Sequence, residues 1–507
     1  MNKIFRFLLF FLGTAIVVIL LAATALYFCV DLNQYKPRIE KAASKALNRE
    51  VRINGKISLS ATPHIGASIR DIHVRNGPGF SKGDLLSIQR VQVALEIEPL
   101  LHREFRVKSV RVINPVIRIE QNAKGVFNFE QPPKRKKSSS KKPDLTKTKQ
   151  AFLSLEIVNI SVSNGNLTFV DRKSKRRSRL QGFNISIKNP QLSDAYLKGN
   201  QARGLFNALV LKGHLTAKAF RCGDLKLFRI ITDFSTKGGK IRLEPMRYTI
   251  LGSEAKGSLS IDTNRKRPFF RIEQTIPKLN LQRTTKRLLR SQILRGYSSI
   301  DARVSATGSG SNDIIRSLKG QVVIRGSNCR FCLYDIDKIL ERYDKTQNID
   351  LVDLGAVLLS APLGFAAPLA LLATKGFDAA KLGTGIGSGQ SQITQFISEW
   401  KISNGIAFAK DVAIATKKNR IALKGRLNLI RREFDHVVVA VVDEKGYAKY
   451  SQKITGRFDN PQFDKDKLTT QSLTGMFTSI FKKAKRLFVK RKGKPFYRGS
   501  IAHPTKK

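Results

Sequence analysis

Acidic residues are scarce in this chain, and so are the side chains that usually carry chemistry. Asp and Glu total 38 against 92 Lys and Arg in 507 residues, a formal charge of +54. Four cysteines are too few for a disulfide scaffold. The six histidines (64, 73, 102, 214, 436 and 503) are scattered, and no His/Cys set has metal-ligand spacing. No Gly-x-Ser-x-Gly elbow or phosphate-binding glycine loop occurs, so hydrolysis and nucleotide chemistry have no foothold. Cys329-Arg-Phe-Cys332 has redox-motif spacing. Such a motif opens a helix after a strand, whereas this pair sits at the end of the strand-like stretch 321–325, which favours a structural or incidental pair. The expectation is a protein without enzymatic activity, metal or cofactor.

Long apolar runs are absent except for one, Phe7 to Val30, whose bulk comes from Phe7, Leu8, Leu9, Phe10, Ile16, Val17, Val18, Ile19, Leu20, Leu21, Leu26 and Val30. As a helix it would span roughly 35 Å, enough to cross a hydrocarbon core of ~30 Å. Lys3 and Arg6 are the only charges before it, which predicts a cytoplasmic N-terminus and translocation of the rest. A cleaved signal peptide is the competing reading, with Ala23-Thr24-Ala25 as a weak site. Continuation of the run through Val30 favours an uncleaved anchor. The remaining chain, with 41% hydrophobic residues overall, reads as an ordinary folded body. Its charge calls for anionic surroundings, and behind an anchor these are lipid headgroups rather than nucleic acid.

After the anchor, Gln34–Arg49 has helical spacing and Pro37 in its first turn, which predicts a short amphipathic helix. From Val51 the period becomes two. Val91, Val93, Leu95 and Ile97 alternate with polar residues, as do Val110, Val112, Ile117 and Ile119 around an Asn114-Pro115 interruption. Further strand-like segments include Gly257–Ile261, with Leu259 and Ile261, and Ile421–Lys424, with Ile421 and Leu423. Thr284–Leu294 is the clearest helical stretch between them. So many strands with so little helical cover predict a sheet that either closes on itself or keeps an apolar face partly open.

Residues 132–150 are basic and low in complexity, a linker or loop. Residues 350–376 are apolar but broken by prolines and predict buried or membrane-dipping helices. The tail sets Met476, Phe477, Ile480 and Phe481 on one helical face and Lys482, Lys483, Lys485 and Arg486 on the other. Two readings fit it equally, an interfacial membrane-binding helix and a plug at the sheet's end with a solvated basic back.

Several ordered blocks carry a family resemblance. They are Tyr35-Lys-Pro-Arg-Ile-Glu-Lys-Ala, Arg49-Glu-Val-Arg-Ile-Asn-Gly55, Asp71-Ile-His-Val-Arg-Asn76, Asn114-Pro-Val-Ile-Arg-Ile-Glu120 and Gly125-Val-Phe-Asn128-Phe. Later come Ser317-Leu-Lys-Gly320, Ile402-Ser-Asn-Gly405, Gly425-Arg-Leu-Asn-Leu429, Ile454-Thr-Gly456 and Phe496-Tyr-Arg-Gly-Ser500. The chain resembles the AsmA family of bacterial envelope proteins and their TamB-like and bridge-like lipid-transfer relatives. That resemblance implies a mainly β fold, an N-terminal transmembrane helix followed by a long curled antiparallel β-sheet groove with few short helices. The expected divisions are an anchor at 1–30, an N-terminal β domain at 31–131, the linker at 132–150, a middle groove at 151–299, a C-terminal domain at 300–465 and a basic tail at 466–507. The implied role is an inner-membrane-anchored periplasmic protein that carries phospholipid towards the outer membrane. The alternating apolar positions above are then groove candidates, and an envelope protein or a second copy is the expected partner. The alternative is a scaffold or regulator of outer-membrane protein assembly, which a dry, fully packed β interior would favour.

Overall fold

The computed structural model describes residues 32–60, 66–96, 107–129, 157–192, 209–223, 225–288, 292–332, 335–346, 389–458, 460–463 and 494–504. The apolar run Phe7–Val30, Ile97, the 132–150 and 350–376 segments and the tail positions Met476, Phe477, Ile480, Phe481, Lys482, Lys483, Lys485 and Arg486 lie outside them. Among the described residues no helix is long and apolar enough to cross a membrane.

The chain divides into two compact units, 1–250 with 258–268, and 251–257 with 269–507. The first contains helix α1 (Lys36–Leu47) and strands β1 (Val51–Ile53), β2 (Ile57–Ser60), β3 (Gly66–Arg75), β4 (Asp84–Leu95), β5 (Val107–Gln121), β6 (Ile157–Asp171), β7 (Arg176–Lys188), β8 (Gln191–Leu192), β9 (Leu209–Cys222), β10 (Leu225–Lys237) and β11 (Lys240–Ile250). Strand β12 (Ser253–Asp262) contributes residues to both units. The second unit contains β13 (Phe269–Asn280), α2 (Leu281–Leu288), β14 (Leu294–Arg295), β15 (Tyr297–Thr307), α3 (Ser311–Ser317), β16 (Lys319–Phe331), α4 (Ile336–Thr346), β17 (Ser391–Ser403), β18 (Ile406–Ala415), β19 (Arg420–Asn428), β20 (Glu433–Val442), β21 (Ala448–Arg457) and β22 (Asn460–Phe463). The fold is therefore mainly β.

Helix α1 follows the sequence closely. Ile39, Ala43 and Leu47 recur every fourth residue and are buried, and Asn48 ends the helix in a left-handed conformation. The helix pins the edge of the sheet, because Glu40 Oε1 accepts from the Ile53 amide at 2.6 Å and Ser44 Oγ from the Val51 amide at 2.9 Å. Within the first unit β3, β4 and β5 pair antiparallel in sequence order. Strand β6 then pairs with β5 in parallel, and β7, β9, β10 and β11 continue antiparallel.

A transverse seam crosses this unit. Asp71, Asn114, Asn164, Gly182 and Arg229 all have positive φ, between 50° and 58°, and lie in β3, β5, β6, β7 and β10. At the seam the inward positions step by three residues instead of two: Ile69 to Ile72, Ile88 to Val91, Val112 to Pro115, Val162 to Gly165, Leu180 to Phe183 and Leu227 to Ile230. A left-handed residue in a strand inverts its alternation, and a single uncorrected slip would send every later side chain to the other face. Here neighbouring strands slip together, so pairing survives and apolar residues stay on one face. Asn is the natural occupant because its short polar side chain tolerates this conformation. The side chains also form a ladder on the wet face. Asn114 Nδ2 donates to Gln89 Oε1, Asn164 Nδ2 to Asn114 Oδ1 at 2.8 Å, the Asn164 amide to Asn184 Oδ1 at 2.9 Å, and Asn184 Nδ2 to Thr216 Oγ1 at 3.1 Å.

In the second unit β13, β15, β16, β17, β18, β19, β20 and β21 pair antiparallel in succession. Asn404 and Gly405, with φ of 50° and 76°, make the two-residue β17–β18 turn.

The seam gives a direct test. Asn114→Val places a β-branched residue in the left-handed region and removes two ladder bonds, and should cost about 2 kcal/mol of unfolding free energy. Asn114→Gly loses the bonds but relieves the backbone, and should recover about half. Equilibrium urea unfolding of both variants measures the difference.

Candidate functional site

Cross-strand register defines one continuous apolar face in the first unit. Ile72 faces Ile88, Leu86 faces Ile117, Val91 faces Val112, and Val93 faces Val110. It continues with Val110 beside Ile160, Val112 beside Val162, Ile117 beside Leu167 and Ile119 beside Phe169. Leu167 then meets Leu180, Leu180 meets Phe220, Phe220 meets Leu227, and Leu227 meets Ile250.

Accessibility changes along this face. The candidates Val91, Val93, Leu95, Val110, Val112, Ile117 and Ile119 are all buried, none more than 4% exposed. From β6 onward the same face is half-open: Leu167, Phe169, Leu180, Phe220, Leu227 and Ile250 are only partly buried, and Leu225 is 44% exposed. Leu259 and Ile261 on β12 are also half-buried. Ile421 and Leu423, by contrast, are packed inside the second unit at 0% and 2%. The positions brought onto one face are thus those of β4 and β5, at its closed end. The accessible stretch is formed by residues that strict alternation does not reveal, because the seam breaks the period inside each strand. A count restarted at Asn164 in β6 and Gly182 in β7 would have found Leu167, Phe169 and Leu180, whereas β9 and β10 carry no Asn or Gly at their break.

The closed end is built by the turn after β5. Gln121 bridges Phe127, which stacks on Phe129 with ring centroids 5.1 Å apart and on Phe169 of the apolar face at 6.2 Å. Asn128, fully buried, is the hub of this turn. Its Nδ2 donates to Asn76 Oδ1 at 2.8 Å and to the Arg118 carbonyl at 2.7 Å, and its Oδ1 accepts from the Glu120 amide at 2.9 Å. Arg49 Nη2 donates to the Asn128 carbonyl at 3.0 Å. Glu120 accepts from Arg172 Nη2 at 2.7 Å and from the Ser81 amide and hydroxyl. Burial works to raise the Glu120 carboxyl, but the Ser81 and Arg172 bonds outweigh it and hold the pKa below the ordinary range. Arg49, Asn76, Glu120 and Asn128, far apart in sequence, are thus brought together as a structural lock.

In the second unit the centre of β17 to β20 is packed on both faces. Trp400, Phe396, Ile414 and Val439 are within 2% of full burial on one side. On the other, Val323, Ile397, Ala413, Ala422 and Ala440 form a cluster with Tyr497 and Ile501 from the C-terminal segment. Ala413, Ala422 and Ala440 are register partners, and three small side chains in a row leave room for that segment. Tyr497 donates to Asp411 Oδ1 at 2.6 Å and lies under the Arg420 guanidinium, 5.2 Å from its ring centroid, while Arg420 Nη1 donates to the Ile501 carbonyl at 2.9 Å. The segment is clasped to the sheet.

Cys329 is the penultimate but one residue of β16 and Cys332 follows the strand, so the pair does not open a helix. Both thiols are free. Burial pushes Cys329 up, and pushes Cys332 up against the opposing charges of Arg295 and Arg330. Neither environment favours a thiolate nucleophile. Among the described residues no group of three His, Cys, Asp or Glu side chains is arranged to hold a metal ion.

A seam-corrected, one-sided apolar sheet face, closed at one end and accessible further along, defines a β-sheet protein with an open apolar surface. The sequence model of the AsmA family matches residues 1–221 and 207–411, and the chain belongs to that family. No curated protein matches the chain.

Two measurements follow. The folded Glu120 pKa lies below its unfolded value of about 4.3. Its contribution to stability is present above that value and lost as pH falls through the folded pKa. Glu120→Gln should cost about 2 kcal/mol at neutral pH, between values for exposed and buried pairs, and flatten the acid limb of a stability–pH curve. Separately, iodoacetamide at pH 7 should modify Cys329 in the native protein at least about tenfold more slowly than a free thiol, with the difference lost on unfolding.

Proposed function

We propose that this protein binds a membrane phospholipid and passes it across the bacterial envelope, from an inner-membrane anchor at Phe7–Val30 towards the outer membrane. The observation that carries the reading is the accessible apolar face of β6, β7, β9, β10 and β11. Five strands ~4.8 Å apart make a track about 19 Å wide. Leu167, Leu180, Phe220 and Leu227 line it in register. At ~0.8 kcal/mol per CH₂ relative to water, a dozen methylenes laid on it contribute about 10 kcal/mol, which offsets what those same methylenes lose on leaving a bilayer while the headgroup stays in water. Partly exposed Leu and Phe at these positions are costly in a monomer unless something covers them. Acyl chains are the fitting cover, because family membership and a one-sided sheet both favour an envelope lipid role.

The alternative is a scaffold or regulator of outer-membrane protein assembly without lipid cargo. The packing of β17 to β20 on both faces favours it, since Trp400, Phe396, Ile414 and Val439 on one side and the alanine row on the other leave no room for a chain there.

The test is lipid content. The full chain, extracted and exchanged into lipid-free buffer with a detergent that leaves its fold intact, should retain phospholipid detectable by mass spectrometry and accept a labelled phospholipid. Leu180→Glu with Leu227→Glu should abolish uptake while lowering the melting temperature by only a few degrees, since neither side chain is fully buried. A lipid-free protein that takes up no label would overturn the proposal.

A further inference from the structure

The wet face of the first unit carries a feature that the apolar face does not explain. Register places Arg118 opposite Thr168, Thr168 opposite Arg179, Arg179 opposite Arg221, and Arg221 opposite Lys226. Three cations in β7, β9 and β10 therefore stand directly opposite one another, an arrangement that destabilises a sheet when nothing offsets it. The nearby carboxylates are already engaged: Glu120 by Arg172, Asp233 by His214 at 2.7 Å, and Asp171 by Ser174 at 2.6 Å. Among the described residues no carboxylate pairs with Arg179, Arg221 or Lys226.

Large apolar side chains flank the two ends of this row on the same face, with Asn166, Gln181 and Ala219 between them. Val116 and Phe228, two residues along their strands from Arg118 and Lys226, are 50% and 38% exposed, and Ile231 beyond them is 46% exposed. A line of cations with projecting apolar groups at its ends matches a bilayer interface, where phosphates meet the charges and the apolar groups enter the layer beneath. Nucleic acid is the weaker match, because Phe228 alone among these three groups offers a ring on which a base could stack.

We propose that this wet face docks on an anionic phospholipid surface through Arg179, Arg221 and Lys226, with Phe228 inserted at the interface. The site is distinct from the apolar face and stands whether or not that face carries lipid. It turns the sheet into a two-sided device, one side apolar and the other facing headgroups.

A local reporter is available because Trp400 is the chain's only tryptophan and is fully buried. The full chain carrying Phe228→Trp, held in zwitterionic nanodiscs, would be mixed with vesicles of phosphatidylglycerol or phosphatidylcholine containing brominated acyl chains. Fluorescence at position 228 should be quenched by the anionic vesicles and not by the zwitterionic ones. Arg179→Gln, Arg221→Gln and Lys226→Gln together should weaken that quenching at least about tenfold in apparent affinity, given roughly 1 kcal/mol per charge near an anionic surface. Arg179→Lys with Arg221→Lys should preserve it. A control set of equal charge on the second unit, Arg303→Gln, Lys319→Gln and Lys401→Gln, should also preserve it. No quenching at position 228 while the vesicles are captured overturns the proposal, as do equal quenching by zwitterionic vesicles and equal loss in the control set.

Discussion

The constraint on which the first unit depends is that its strands change phase together. A sheet with one apolar face cannot absorb an extra residue in one strand alone, since every side chain beyond it would point the wrong way. Asp71, Asn114, Asn164, Gly182 and Arg229 share the left-handed conformation in β3, β5, β6, β7 and β10, and the inward residues step by three at each and also in the intervening β4 and β9. The slip is thereby a property of the sheet instead of a defect in a strand. Bulges bend and twist the strands that hold them, so an aligned set acts at one line across the sheet. The Gln89–Asn114–Asn164–Asn184–Thr216 ladder fixes that line with side-chain bonds where the backbone ladder is disturbed.

This phase change also decides what was legible in the sequence. Alternation was readable on each side of the break: Val91, Val93 and Leu95 in β4, and Val110 and Val112, then Ile117 and Ile119, in β5. It was readable because those residues are Val, Ile and Leu separated by Gln92 and Ala94 in β4 and by Arg111 and Arg118 in β5. In β6, β7 and β9 the inward set includes Gly165, Ser178 and Cys222, and apolar residues such as Val170 occur on the opposite face, so the contrast fades. Helix α1 was legible from its four-residue spacing and Pro37. Helix α2 lies at Leu281–Leu288, earlier than the 284–294 reading, because Thr284 and Thr285 are buried and bond back to the Asn280 and Leu281 carbonyls. The end of β16 was misplaced in the other direction: pairing with β17 carries the strand through Phe331, past Cys329.

The polar lock could not be read from the sequence at all as an arrangement. Arg49, Asn76, Glu120 and Asn128 were visible only as parts of family blocks, because hydrogen bonds between distant segments leave no local period. Once assembled, they show why such residues belong together. Asn128 alone satisfies a backbone amide, a backbone carbonyl and a second asparagine inside a buried turn, and no apolar residue of similar size could do so.

The apolar face of the first unit and the centre of β17 to β20 in the second are treated in opposite ways, and this bears on the proposed function. In the second, three register-aligned alanines admit Tyr497 and Ile501, and Arg420 and Asp411 hold that segment down, so the sheet is covered from within the chain. In the first, Phe127 and Phe129 cover only the β5–β6 end, and the face from β6 to β11 keeps accessible Leu and Phe. The chain therefore has the means to cover a sheet with its own side chains and uses them selectively. An apolar face that stays accessible among the described residues, beside two examples of closure, fits the proposed lipid cargo, which must come and go. A permanent cover would stabilise the sheet by several kcal/mol and remove the path along it.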